Sequence, residues 1–336
     1  MRIPITIKAL SAVAALALLA GCSGNGSALP GNGATTQSHA RVANVHPQTG
    51  VAPQFLQSIQ FGRKASVLPD TPGPKDLAVS DFGTGGVEVL DHNYAQEGTI
   101  TDPTGCPDGN FYDKSGHEYD ADYCAGEITE YKGNGSLLFT YTASGMSDPA
   151  GVTTDSAKNV YAADYGSGSP SIVVEFPQGN TTPIASCSTG LSNEGIAVSS
   201  SGAVFVSGNS PNTGLGVILE YPSGLAGCPT PTTLGVSLTF AGGLQIDNSN
   251  NLVACDQLAS GVDIIPPPYS SISSTITGFA DPFHVAINHH NGKIFVADPG
   301  LADVQVDLYP SGTPFATLGS ANGLVDPASA ATNPYP

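Results

Sequence analysis

The sequence predicts an all-β fold, a six-bladed β-propeller closed by its own C-terminal inner strand (326–333), which completes the N-terminal blade. Three observations carry that expectation. Short β-type runs ending in Asp recur at intervals of 41 to 48 residues. Each has an apolar run before it and another run after it, with Gly, Asn, Asp and Ser turns between. The first copy lacks the preceding run, and the chain finishes on such a run with nothing behind it.

The Asp-ending runs are "LAVSDFG" (Leu77 to Gly83), "HEYDADY" (His117 to Tyr123), "NVYAADYG", "AVFVSGN" (Ala203 to Asn209), "NLVACDQ" (Asn251 to Gln257) and "KIFVADPG". The runs after them include "VEVLD", "EITEYKG", "IVVEFPQG" and "VILEYPSG", and the inner segments before them include "DPAGVTTD", "NEGIAVSS" and "DPFHVAIN". Period-2 runs with a turn every 8 to 12 residues mean antiparallel sheet. A period in the forties with three or four strands per unit is that of a propeller blade, because one small sheet cannot bury both faces and must stack on neighbours. Helical solenoids are excluded by 41 Gly, 27 Pro and the missing 3.6-residue pattern. The final "DPASAATN", Asp326 to Asn333, supplies the inner strand that the blade at Leu77 lacks. Closure of this kind removes free sheet edges.

Ahead of the repeats, Met1 to Ala20 carries Arg2, Lys8 and the apolar run "ALSAVAALALLA", the pattern of a secretory signal. Leu19-Ala20-Gly21-Cys22 resembles the lipobox of bacterial lipoproteins. The resemblance implies cleavage before Cys22, leaving a cysteine that carries acyl chains at the new N-terminus, and several such chains make a stable membrane anchor. Ser23, rather than Asp, resembles lipoproteins destined for the outer membrane. The expected division is a signal peptide over 1–21, a lipid-anchored linker over 22–73 and the propeller over 74–336. The linker is Gly/Ser/Asn/Gln/Pro-rich apart from "QFLQSIQF" at Gln54 to Phe61. No other apolar run approaches 18 residues.

Without Arg2 and Lys8, 8 basic side chains face 28 acidic ones, and beyond Lys158 the basic residue is Lys293. Such a surface cannot neutralise phosphates, so nucleic acid and anionic headgroups are excluded as partners. The expected chain is a monomer that meets the membrane through its N-terminal anchor.

"GVTTDSAKNVYAADYGSGSPSIVVEF" resembles the NHL repeat, and the likeness runs from about Lys75 to Asn333. It implies a six-bladed propeller of TolB-like or SMP-30-like shape. The chain departs from the repeat at "CPDGNFYDKSG" and at Gly208, where other blades have Asp. A propeller is a scaffold, and its function lies in its loops.

Among candidate residues, Asp81, Asp122, Asp164, Asp256 and Asp298 each end a strand and are expected to form Asx turns, a structural role repeated per blade. Asn193, Glu194 and His284 stand at the starts of inner strands, near the axis. Similarly shaped six-bladed lactonases and phosphotriesterase-like enzymes resemble this fold and hold Ca²⁺ or Zn²⁺ at such positions. That resemblance implies a metal-dependent hydrolase as the alternative reading, with the metal polarising a carbonyl or phosphoryl oxygen. A four-ligand set cannot be assembled from the sequence, and G-x-S-x-G, H-E-x-x-H, P-loop and C-x-x-C motifs are missing. The first reading is therefore a non-enzymatic scaffold without a cofactor, binding a protein, glycan or small ligand through its loop face.

Cys106 and Cys124 bracket a hairpin and are expected to form a disulfide in an oxidising compartment. Cys187 and Cys228 occupy similar positions in successive blades and form the second candidate pair. Cys255, inside an apolar strand, reads as a buried thiol.

Overall fold

A computed structural model describes residues 77–166 and 170–333. The expected signal, Cys22 and the linker lie outside the described residues. Twenty-four strands form six sheets of four, all antiparallel. The first blade holds β1 (Leu77–Asp81), β2 (Gly86–Leu90) and β3 (Gln96–Thr101), with β24 (Pro327–Thr332) as its inner strand. The second holds β4 (Pro107–Tyr112), β5 (Glu118–Asp122), β6 (Glu127–Tyr131) and β7 (Leu137–Tyr141). The inner strands of the remaining blades are β8 (Pro149–Thr154), β12 (Ser192–Val198), β16 (Ala241–Ile246) and β20 (His284–Ile287). The second strands beside them are β9 (Val160–Asp164), β13 (Val204–Asn209), β17 (Leu252–Asp256) and β21 (Lys293–Asp298).

The predicted closure is present. Leu77 pairs with Thr332, Ala78 with Ala331 and Asp81 with Pro327. Each second strand lies between two sheet neighbours and has another blade on either face, so β1, β5, β9 and β17 are buried at every residue. Alternate residues therefore feed two cores. Tyr119 and Ala121 pack with Val152 and Val174 toward the third blade, whereas Ala78, Val87 and Val89 pack with Tyr112 and Tyr131 between the first and second. The fourth strands meet water on one side, and β7 leaves Leu137 and Phe139 exposed.

The inner strands approach so closely that several positions tolerate only glycine. A Cβ on Gly151 would stand 3.0 Å from the Glu194 carbonyl oxygen, and one on Gly195 would stand 2.6 Å from the Leu244 backbone nitrogen.

The strand-ending Asp residues do more than form local turns. Asp81 accepts from Gly83 N–H at 2.8 Å, as an Asx turn does, but it also accepts from Val325 and Asp326 at 2.7 and 3.0 Å. Asp164 accepts from Ser147 and Asp148, Asp256 from Thr239 and Phe240, and Asp298 from Ala280 and Asp281. Asp122 accepts from Ala125 N–H and the Thr104 hydroxyl. In four blades, then, one carboxylate ties two consecutive N–H groups at the entry to its own inner strand, the groups a β-ladder leaves unpaired there.

Cys106–Cys124 and Cys187–Cys228 are disulfide-bonded, and Cys255 is a buried free thiol. Disulfides persist in oxidising, extracytoplasmic compartments. Among the described residues no helix is long and apolar enough to cross a membrane.

Candidate ligand site in the central channel

Six inner strands converge on the axis, and the two ends of the channel differ. At the entry face, where the chain enters each inner strand, Phe82, Cys106, Tyr123, Phe283 and Ala328 form a buried cluster with Tyr165 packed on it. Phe82, Tyr123 and Tyr165 each directly follow the strand-ending Asp. Their backbone N–H groups bond to Asp326, Cys106 and Asp148, which fixes the rings over the axis. That end is plugged.

Beneath the plug lie Asp108, Glu194 and His284, all buried. Asp108 and Glu194 occupy the same place in β4 and β12, and both strands carry a register irregularity there, at Pro107/Asn110 and Asn193/Gly195. Such a bulge re-aims the side chain. His284 Nε2 stands 3.8 Å from Asp108 Oδ1, and Asn209 donates to Glu194 Oε1 at 3.5 Å. Burial pushes the Asp108 carboxyl well above the usual carboxylate range. Glu194 is raised by burial first, then by the charges of Asp108 and Asp281. The structure thus places Glu194 and His284 close to the axis, as their positions in the sequence suggest, and adds Asp108.

Asn193 faces elsewhere. Its amide donates to the carbonyls of Asp164 and Ile172 at 3.0 Å each, and its oxygen accepts from the Thr189 hydroxyl. All its bonds join the third and fourth blades. Among the described residues no three His, Cys, Asp or Glu side chains converge to hold a metal.

The opposite end, the turn face, is open. A cavity of about 430 Å³ runs in from it, with His284 in its wall. Its apolar wall includes Phe111, Val152, Ile196 and Leu244, and its polar lining includes Thr153, Thr154, Ser200, Gln245 and Asn248. Two lining carboxylates are already engaged. Asp155 accepts from Ala157, Asn159 and Tyr161, and Asp247 accepts from Ser249, Asn251 and Tyr309. These bonds shape the turns between first and second strands, leaving hydroxyls and amides, with Lys114 and the imidazoles of His284 and His289, to meet a guest.

Sequence reasoning missed Asp108 and the cavity. Asp108 has a signal, the same offset as Glu194 in its repeat, but it lies in "CPDGNFYDKSG", where the repeat is obscured. The cavity has none, since Thr153, Ser200 and Asn248 are ordinary residues of polar turns.

No known family profile and no curated protein matches the sequence. Solved structures do share its architecture. A chain of a nidogen/laminin complex aligns over 77% of this chain and 98% of its own, with a TM-score of 0.63 and 15% identity. A protein of unknown function from Bacteroides caccae aligns over 77% and 99%, with a TM-score of 0.62 and 13% identity. Virginiamycin B lyase from Staphylococcus aureus, as a catalytically inactive variant with quinupristin, aligns over 76% and 87%, with a TM-score of 0.53 and 11% identity. At such identities the likeness is one of fold, and the chain is a six-bladed β-propeller.

Proposed function

We propose that this protein is a non-enzymatic, extracytoplasmic binding module, tethered through acylated Cys22, that takes an uncharged polar ligand such as a glycan end in the turn-face mouth of its channel. The cavity carries this reading. Its volume lies in the range of small-molecule sites, and its lining mixes an apolar wall containing Phe111 with many hydroxyl and amide groups, beside Lys114 and the imidazoles of His284 and His289. Rings of this kind stack on sugar faces while amides and hydroxyls pair with sugar hydroxyls.

The lipobox-like Leu19-Ala20-Gly21-Cys22 supports the tether, and the two disulfides support an oxidising compartment.

The test is calorimetric titration of the mature chain with neutral disaccharides built on glucose, galactose and N-acetylglucosamine, in parallel with Thr154→Trp, which fills the mouth. Binding by the parent and none by T154W supports the reading. No binding, or equal binding by both, removes it. The metal-dependent hydrolase reading rests on the Asp108, Glu194 and His284 group, at the inner end of the cavity with His284 in its wall. It would need a further ligand, and about one tightly retained divalent ion lost with Glu194→Gln would favour it.

A further inference from the structure

Counted back from the strand-ending Asp, two positions on each second strand face the preceding blade. Five blades fill both with aliphatic residues, such as Leu77 and Val79 in β1 or Ile294 and Val296 in β21. The second blade fills them with Glu118 and Asp120. The inner strand departs in the same blade, with Asn110 where β8 has Val152 and β16 has Leu244. Three departures from the apolar pattern thus meet in one layer, between the first and second blades.

This layer is closed to water and short of partners. Glu118 and Asp120 are each 0% exposed, and Asn110 is 7% exposed. Ser80, from the first blade, donates to Asp120 Oδ1 at 2.8 Å. Both Glu118 oxygens, Asp120 Oδ2 and both polar atoms of the Asn110 amide make no hydrogen bond of good geometry, although Asn110 lies near enough to Glu118 to favour its charged form. The charges acting on the two carboxyls are each other's and those of Asp102 and Asp122, all of one sign. Leaving such groups ionised and uncompensated is strongly unfavourable, at positions where five sister blades use plain aliphatics.

We propose that Glu118 and Asp120, with the neutral oxygens of Asn110 and Ser80, hold a calcium ion between the first and second blades. Two carboxylates match its charge. The donors are all oxygen, which suits a hard cation, and calcium accepts six to eight oxygens in adaptable geometry where magnesium keeps an ordered water shell. The site borders the channel, whose cavity Asn110 also lines, but its two carboxylates lie between the blades and do not depend on the ligand proposed for the cavity. Its effect would be to lock together the two blades beside the ring's closure.

The experiment takes the full mature chain, stripped with EDTA, and compares its thermal unfolding and calorimetric titration with CaCl₂ against MgCl₂. A saturable rise in Tm with calcium, one ion per chain, is expected. Glu118→Gln and Asp120→Asn should each weaken calcium by more than the roughly 10- to 100-fold typical of losing a partner one shell further out, and Glu194→Gln should leave binding intact. The double variant Glu118→Leu/Asp120→Val, which restores the sister-blade pattern, should fold without calcium and ignore it. Equal Tm in calcium and EDTA for the parent chain overturns the proposal, and so does a calcium response that survives in E118Q and D120N. If the layer is instead a protonated pair, calcium will have no effect and the rise in Tm on acidification will be smaller in Glu118→Gln/Asp120→Asn than in the parent, which also overturns it.

Discussion

Asp81 and Asp326 stand 245 residues apart and are joined at 3.0 Å, the Asp326 backbone N–H donating to Asp81 Oδ1. With Val325 N–H at 2.7 Å on the other oxygen and the β1–β24 ladder beyond, this one carboxylate fastens the two ends of the ring. Removing Asp326–Pro336 should open the first blade, seen as loss of cooperative unfolding and rapid proteolysis. Asp81→Ala leaves buried N–H groups without an acceptor and should cost about 2–4 kcal/mol, measured by urea denaturation. Asp81→Asn, which keeps one acceptor oxygen, should cost less.

Gly208 stands where the other blades carry that Asp. A Cβ there would lie 2.5 Å from the Ser192 carbonyl oxygen, so the residue is set by backbone contact between β12 and β13. Gly208→Ala should destabilise the chain by roughly 1–3 kcal/mol, as overpacking does, and Gly208→Asp should not rebuild the tie. In its place Asn209 accepts from Ala241 N–H at 2.9 Å, joining the fourth blade to the fifth.

Cys255 is fully buried, and burial pushes its thiol well up, so it should resist modification. With Cys22 acylated, thiol titration should find none reactive in the native chain and one per chain in denaturant without reductant. More than one in denaturant would mean that a disulfide is open.

Stability should rise on mild acidification. Asp281 is pushed up to about 7 by burial and then by the charge of Asp298. Burial also raises Asp164 and Asp303 to about 6. A carboxyl whose folded pKa exceeds its unfolded value binds more protons when folded, so its contribution is fully present below the unfolded pKa and is lost as pH rises through the folded one. Tm should therefore be higher at about pH 5.5 than at about pH 8, within the window these shifts span. Asp281→Asn should flatten that slope and raise Tm at the alkaline end, whereas a Tm that falls between those two conditions on acidification would contradict the assignment.

Cys22→Ser should move the protein from the membrane to the soluble fraction and abolish the acyl mass increment in mass spectrometry. An unchanged distribution would rule out acylation at Cys22 as the anchor.

Glu194 and His284 could be placed near the axis from the sequence because blade offset sets height along an inner strand. The same reasoning sets Asn193, one residue away, beside them, but its side chain bonds to the third blade instead. A bulge at Asn193/Gly195 turns neighbouring side chains to different sides, and strand alternation alone does not show where it falls. The Asp ties were half legible: their chemistry as acceptors of backbone N–H groups could be read, but their principal partners sit at the entry to the inner strand, some 16 to 18 residues earlier in three blades. Glu118 and Asp120 carry no site reading in the sequence, because only the packed interface shows that they meet Asn110 and Ser80.

By itself the sequence determined the blade period, the strand sequence within each blade, the closure through Asp326–Asn333 and the Cys106–Cys124 pair, with Cys187–Cys228 as a candidate that the structure decided. All of these follow from local alternation and turn chemistry repeated along the chain. Which end of the channel is plugged, where the cavity opens and which carboxylates share a buried layer were decided by the tertiary structure. Those features arise where six strands from distant parts of the chain converge, and the spacing between converging strands is set by packing across the ring.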